Sequence, residues 1–252
     1  KQCCELLMAD ARVAAENGDA SRAMERVRAT LGIAEHLSAI ETPSLLMETV
    51  AILVRLGVED QLVQHILPPL DPDATAIANW QAVLERPGSQ PSDFAQLLRG
   101  EAYVSIGGLA IPLLIDKSDD LTKKEIPDPD AFLDAIATTM LDRATRVEQT
   151  TLTDMGTALT PDEIRPPAGL SPGAREAYDA FQIGARAWSR GWLRAASMNA
   201  RTHAGLAILA GQEPPVEPIT GLPFVFDPET RALTHPDDPR LENISAEPLT
   251  LP

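Results

Sequence analysis

The sequence is poor in aromatic residues and in the long apolar runs that membrane spans require. Phe, Trp and Tyr make up 4% of the 252 residues, whereas 44% are hydrophobic, and much of that share is Ala and Leu. Ala and Leu favour helices, while strands are usually rich in Val, Ile and aromatic residues. No stretch reaches the roughly 18 apolar residues that a spanning helix needs. The composition therefore predicts a mostly α-helical chain without a transmembrane span.

Basic residues are also in short supply. The chain has 21 Lys and Arg residues against 37 Asp and Glu residues, which gives a formal net charge of −16 at pH 7. Nucleic acids and anionic membrane surfaces are bound through clusters of positive charge, which this balance does not favour. The charge therefore predicts that nucleic acid is not a partner.

Motifs of catalysis and metal binding are missing from the sequence. Phosphate-binding loops, nucleophile elbows and metal-ligand spacings do not occur. The histidines are scattered along the chain, at His36, His65, His203 and His235. An isolated histidine in a helix is usually structural or solvated. The sequence thus predicts a non-enzymatic protein with no catalytic residue, no metal site and no cofactor.

Cysteine is confined to one neighbouring pair, Cys3 and Cys4. A disulfide between adjacent residues is strained, and no second pair is present to complete a metal site. We interpret the pair as two small apolar residues at the start of a helix. An interchain disulfide is the alternative.

What the sequence does contain is a long helical pattern over residues 171–212. No proline interrupts the stretch between Pro172 and Pro214, and apolar residues return every three or four positions. This spacing keeps them on one side of a helix. The stripe consists of Ala174, Tyr178, Phe181, Ala185, Trp188, Trp192, Ala195, Leu206 and Leu209. We predict one long helix around which the shorter helices pack.

The first forty residues predict two antiparallel helices, over residues 5–16 and 20–39. Asn17-Gly18-Asp19 separates them, with glycine ending one helix and aspartate capping the next. The pair resembles a tetratricopeptide-type hairpin in its small-residue positions, which are Ala14, Gly18, Asp19, Ala23 and Val27. No 34-residue period follows. The resemblance implies helix pairing and loosely tetratricopeptide-like packing.

Caps and prolines divide the middle of the chain into further helices. We predict helices from Thr42-Pro43-Ser44 to Gly57, over 59–67, from Asp71-Pro72-Asp73 to Pro87, from Pro91 to Ile106 with a kinked continuation to Ile115, and over 129–149. Residues 116–128 and 150–170 are predicted to be surface loops.

The C-terminal part changes character. Phe224-Val225-Phe226 and Arg231-Ala232-Leu233 flank Asp227-Pro228 and predict a β-hairpin whose Phe224 and Phe226 face helices. Residues 235–252 are predicted to be an extended proline-rich tail over the surface. We therefore expect a helical domain over residues 1–212 and a hairpin with a tail over 213–252.

The motif before the hairpin also suggests a resemblance. Thr220, Gly221, Pro223, Phe224 and Phe226 follow a long Ala-rich helix and a Pro-rich link, and this order resembles the C-terminal end of a group of uncharacterised, mostly helical bacterial envelope proteins. The resemblance implies an extracytoplasmic location, periplasmic or in the envelope, and it carries no known activity. A cytoplasmic location is the alternative.

A basic ridge lies on the long helix beside its tryptophans. Arg186, Arg190 and Arg194 stand four residues apart next to Trp188 and Trp192. Arginine and tryptophan are common anchors of interfaces, so these five residues are candidates for binding a carboxylate-bearing partner. The structural alternative is intramolecular ion pairing that docks the helix. By spacing, Arg201 falls near the same line.

Glu101 is the acid with the most unusual predicted setting. It shares a helical stripe with Phe94, Leu97, Leu98, Val104 and Ser105, so its carboxylate is predicted to face the interior. A buried carboxylate needs a partner, and we expect an internal arginine. The alternatives are a carboxyl of raised pKa in a cleft and a shifted register that leaves Glu101 in water.

Together these features predict a protein-binding or assembly subunit, a scaffold or one component of a larger complex. The alternative is a small-molecule-binding or hydrolytic protein. It would hold an anion with Arg190 or Arg194 in a pocket between the long helix and the helix of Glu101.

Overall fold

A computed structural model describes residues 2–38, 44–84, 93–104, 129–158, 172–242 and 247–252, and most of them are helical. The helices are α1 (Gln2–Glu16), α2 (Ala20–Ser38), α3 (Leu45–Gln61), α4 (Leu67–Leu70), α5 (Ala74–Leu84), α6 (93–104), α7 (Pro129–Glu148), α8 (Leu152–Ala158) and α9 (Pro172–Leu209). The strands β1 (Val225–Asp227), β2 (Ala232–Thr234) and β3 (Leu249–Thr250) form an antiparallel sheet in that order. The mostly α-helical class is confirmed.

Contacts divide the chain into two units. Lys1–Ala39, Met47–Ser89 and Gly191–Pro252 form the first unit, and Ile40–Leu46 with Gln90–Arg190 form the second. The expected boundary after residue 212 separates helices from the terminal hairpin, whereas the contacts group residues 213–252 with the N-terminal helices. Helix α9 contributes residues to both units.

The predicted N-terminal helix pair is present. The amides of Gly18 and Asp19 donate to the carbonyls of Ala15 and Ala14, and Gly18 has a φ of 74°, which is a Schellman ending. Asp19 then caps α2 by accepting from the amide of Arg22 at 3.0 Å. The small buried residues at the interface are Ala11, Ala14, Ala15 and Ala23. They let the two helices approach closely.

Two clusters of buried apolar residues make the core of the first unit. The larger joins α1, α2 and α5, with Trp80 fully buried, and Leu206 of α9 completes it. The second packs Ala204 of α9 against the sheet, where its members include Phe224, Leu233, Leu249 and Leu251. The C-terminal end of α9 therefore supplies residues to both clusters. Phe224 is buried and Phe226 packs against the second cluster, as the alternation predicts.

The prediction of an extended surface tail over residues 235–252 is wrong at its C-terminal end, which joins the sheet. Leu249 pairs with Leu233 in the sheet, and both Leu249 and Leu251 are buried. Gly205 of α9 makes room for them, since a Cβ there would lie 2.7 Å from Cδ2 of Leu251. Leu241, in a short 3₁₀ helix (Pro239–Leu241), is also buried. Spaced leucines within a proline-rich segment are enough to anchor it.

The predicted helix end at Gly57 is also wrong. Helix α3 passes through Gly57, and a wide π-helical turn, Leu62–Ile66, joins it to α4. A single exposed glycine costs only about 1 kcal/mol in a helix, so packing overrides it. Pro68 and Pro69 fall in the first turn of α4, where their missing N–H groups are not required. The run ends at Asp71, which has a φ of 43°.

The prediction of a surface loop over residues 150–170 is wrong in its first part. Residues Leu152–Ala158 form α8, whose first turn is capped by Thr151, and Met155 is fully buried. The predictions for residues 105–128 and 159–170, and those for the helix boundaries within 39–43 and 85–92, lie outside the described residues.

The second unit contains α6, α7 and α8. Phe94 and Leu98 of α6 are buried, as are Ile136 and Met140 of α7, in agreement with their predicted stripes, whereas Val104, on the predicted stripe of α6, is exposed. The predicted stripe also includes Phe132, whose side chain is outside the described part of the structure. Arg99 and Glu148 join α6 to α7 through two hydrogen bonds of 2.5 and 3.4 Å. This bidentate pair lowers the pKa of Glu148.

The long predicted helix is continuous. Helix α9 has 38 residues, begins at Pro172 and ends in a second Schellman turn at Gly211, whose φ is 68°. Among the residues that the structure describes, no helix is long and apolar enough to cross a membrane.

Candidate binding site

An apolar groove lies on the first unit between α1 and α3. It has a volume of about 710 Å³. Met8 forms part of its floor and is buried, whereas Val50 and Leu53 stand on its wall with 40% and 64% of their surface exposed. Val54 and Val58 continue the same wall. Contiguous exposed apolar surface of this kind marks a binding site more often than isolated exposed residues do.

Helix α3 exposes these residues because it is apolar on more than one side. Its other faces bury Ala51 and Ile52. Val50 and Leu53 are therefore surplus to the packing of the unit. The exposed Gly57 follows them on α3 and adds no side chain to the wall, which leaves the groove open.

A second, more polar recess lies further along α1, where it faces the π-helical turn. Its volume is about 450 Å³, and Glu16, Gln64 and His65 are among its lining residues. In and beside the wide turn, Leu62, Val63, Ile66 and Leu67 are buried while Gln64 and His65 remain exposed, which gives the recess its polar lining. π-Helical turns frequently occur at functional sites.

Arg12 is common to both recesses. Its side chain is half-buried, and among the described residues it forms no hydrogen bond or ion pair. Arg22 and Arg26 of α2 behave differently, because both bind Asp10, at 2.7 and 2.6 Å, and the bond from Arg26 leads in lowering the pKa of Asp10. Arg12 is therefore a cation available to a ligand.

The predicted ridge on α9 is divided between surface and interior. Arg190 and Arg194 are exposed, Trp188 is half-buried and Trp192 is buried. The side chain of Arg186 is outside the described part of the structure. A binding role for these residues stays a prediction.

Arg201 does not continue the ridge on the surface. It is buried, and its Nη1 donates to the backbone carbonyl of Glu247, next to β3. Burial lowers the pKa of Arg201, although the charges of Glu59 and Asp60 oppose the shift. Arg201 thus holds the C-terminal segment in place. Its spacing alone could not reveal this, because the contact spans 46 residues.

Glu101 faces the interior, as its stripe predicts. Its Oε2 accepts a hydrogen bond of 2.9 Å from the amide of Leu45, the first residue of α3. A carboxylate at a helix N-terminus satisfies an amide that lacks an intrahelical partner and is favoured by the helix dipole. This backbone partner gives Glu101 a role in capping α3, and the arginine partner stays a prediction.

Buried polar groups also gather where α9 meets the sheet. Glu217 is fully buried, and its Oε2 accepts from the amides of Ile219 and Thr220 and from the hydroxyl of Thr220, at 3.0, 2.7 and 2.8 Å. Thr220 and Gly221, with its φ of 70°, belong to the Thr-Gly-x-Pro motif. The motif therefore forms a turn around one buried carboxylate.

His235 is buried beside the same cluster. Its ring lies 5.6 Å from that of Phe224 in an edge-on arrangement, and within the described residues neither ring nitrogen has a hydrogen-bond partner. Burial lowers the pKa of His235 to about 4; the positive charge of Arg201 adds to the shift, and the charge of Glu217 opposes it. This histidine is therefore neutral at pH 7.

Chemistry and similarity give no further assignment. In the part of the chain that the structure describes, no three His, Cys, Asp or Glu side chains come together as metal ligands, and Cys3 and Cys4 are free thiols. No protein-family model, curated protein or solved structure matches the chain. Of the two recesses described above, the groove between α1 and α3 is the larger and more apolar, and the sequence analysis missed it. The signal that could have revealed it is the surplus of apolar residues around α3.

Proposed function

We propose that this chain is a non-enzymatic binding subunit that holds a helix of another protein in the groove between α1 and α3. The observation that carries the proposal is the exposure of Val50 and Leu53 above the buried Met8 in one continuous groove. An amphipathic helix binds such a groove with apolar side chains spaced three and four residues apart.

The length of the groove supports a helical ligand. Its lining residues on α1 run from Cys4 to Arg12, which at 1.5 Å per residue is about 12 Å, or a little over two helical turns. Both walls are helical, so the groove is preformed. A preformed site reduces the entropy that binding must offset.

The envelope location and the tetratricopeptide-like packing belong to the same proposal. The location rests on the Thr-Gly-x-Pro motif at Thr220 and on the hairpin that follows it. The packing rests on the small residues between α1 and α2. An assembly subunit of the cell envelope, working as part of a larger complex, is consistent with both.

The test compares two exposed apolar residues of the first unit. Leu53 lies in the groove, while Val225 lies on β1 outside it with a similar exposure of 54%. We expect Leu53→Glu to abolish recovery of the native partner in affinity purification, and Val225→Glu to retain it. Thermal melting should show both variants folded. Recovery of the same partner by folded Leu53→Glu would overturn the proposal.

A further inference from the structure

Resting on the proposed function, we infer that Arg12 binds a carboxylate of the docked helix. The groove then selects one kind of partner, an amphipathic helix with a single Asp or Glu close to its apolar anchors. Arg12 is the one arginine that lines both recesses.

The state of Arg12 is unusual for this chain. Acidic residues outnumber basic ones by 37 to 21, and Arg22 and Arg26 nearby on α2 both bind Asp10. Arg12 is half-buried, yet within the described residues neither Glu16, one turn away, nor any other acid pairs with it. A guanidinium that is partly removed from water gains most from a carboxylate, which it can bind through two parallel hydrogen bonds.

The charges around the groove limit the ligand to one carboxylate. Asp60 lines the apolar recess, and Glu16 lines the polar one. These acids would repel a second carboxylate and would favour Lys or Arg on the rim of the ligand. The docked helix should therefore be basic or neutral except at Arg12.

The position of that carboxylate follows from α1. Met8 and Arg12 are four residues apart, so the floor of the apolar recess and the cation are separated by about 6 Å along the helix axis. A docked helix lying along the groove should carry its acid about one turn beyond its nearest apolar anchor. This spacing can be read directly from selected ligands.

The experiment selects helical peptides on the chain itself. A displayed library of 16-residue Ala-rich helices carries leucines at positions i, i+3 and i+7. The positions that flank the leucines on the same face are randomised among Glu, Gln and Lys. We expect the peptides selected on the native chain to carry Glu at one position relative to the leucines. Replacing that Glu by Gln should raise Kd about tenfold, which is typical for one partner of a close ion pair.

Variants of the chain separate the possible outcomes. With Arg12→Gln the preference for Glu should disappear, with Arg12→Lys it should persist in weaker form, and melting should confirm that both are folded. Suppose that Leu53→Glu abolishes peptide binding, but the selected peptides show no preference for Glu or keep that preference on Arg12→Gln. The role of Arg12 is then overturned, while the role of the groove as the binding site is retained. If no peptide is selected, or Leu53→Glu does not affect binding, the proposed function itself fails.

Discussion

Two regions of the first unit, the groove between α1 and α3 and the contact of α9 with the sheet, differ in which side chains they expose and which they bury. Between α1 and α3, apolar side chains face solvent and Arg12 has no partner among the described residues. Where α9 meets the sheet, by contrast, Glu217, Arg201 and His235 are buried. The exposed apolar side chains of the groove cost the free protein little stability, and burying them under a bound ligand contributes favourably to the free energy of binding. In the second arrangement the turn after Glu217 and the backbone carbonyl of Glu247 supply hydrogen bonds to Glu217 and Arg201, whereas His235 is neutral and packs edge-on against Phe224.

This contrast predicts that one region determines stability and the other determines binding. Substitutions at the sheet should change the free energy of unfolding, and substitutions in the groove should change binding alone. The predictions below test that division.

The largest expected effect is that of Glu217→Ala. It removes the acceptor of three hydrogen bonds and leaves buried donors in the turn at residues 219–220. We expect a loss of about 3 to 5 kcal/mol in the free energy of unfolding, measured by urea denaturation. Glu217→Gln keeps one acceptor oxygen and should lose less, and Glu213→Ala, at an exposed position, should lose almost nothing. A loss below 1 kcal/mol for Glu217→Ala would contradict the role of the turn.

The next effect concerns pH and His235. Its pKa is about 4 in the folded protein against an ordinary value of 6.5, so the unfolded chain binds the proton more readily. Stability should therefore be complete above pH 6.5 and decrease as the pH falls from 6.5 to 4, by about 2 to 3 kcal/mol.

Denaturation at several pH values measures this effect. His235→Phe keeps a ring beside Phe224 but cannot be protonated, so the difference between the two proteins isolates the histidine from other titrating groups. Parallel pH profiles for the native chain and His235→Phe would show that His235 does not have the lowered pKa.

The smallest expected effect is that of the groove on stability. Leu53→Glu and Arg12→Gln alter side chains that are exposed or half-exposed and, in the described structure, hold no other element in place. We expect changes below about 0.5 kcal/mol in the free energy of unfolding. A large loss in either variant would mean that the groove is part of the core, and the contrast between the two regions would disappear.

Much of the fold could be predicted because local signals agreed with the packing. Gly18 and Asp19 mark a helix end and a cap, the stripe of α9 requires a long helix, and Phe224 alternates with Val225 as a strand should. Glu101 was also assigned to the interior from its helical spacing alone. These predictions depend on residues close in sequence, where periodicity and capping are informative.

The remaining features depend on distant residues. β3 forms because Leu249 and Leu251 fill the space beside Gly205, and nothing in residues 235–252 announces that space. The continuation of α3 past Gly57 is likewise decided by packing, which overrides the weak preference of one glycine. The groove escaped prediction because a surplus of apolar residues on a helix does not show which of them the core will leave uncovered.

The π-helical turn at Leu62–Ile66 determines where this part of the chain tolerates a change in length. Each residue of a regular helix turns the direction of the side chains by about 100°. A turn whose hydrogen bonds span five residues accommodates one residue more than a regular helical turn, so deleting one residue from it would restore a uniform pitch and leave the directions of Val50, Leu53 and Leu67 nearly unchanged. A deletion within the regular turns of α3 would instead rotate Val50 and Leu53 against the residues that follow. A single deletion should therefore be tolerated best within Leu62–Ile66.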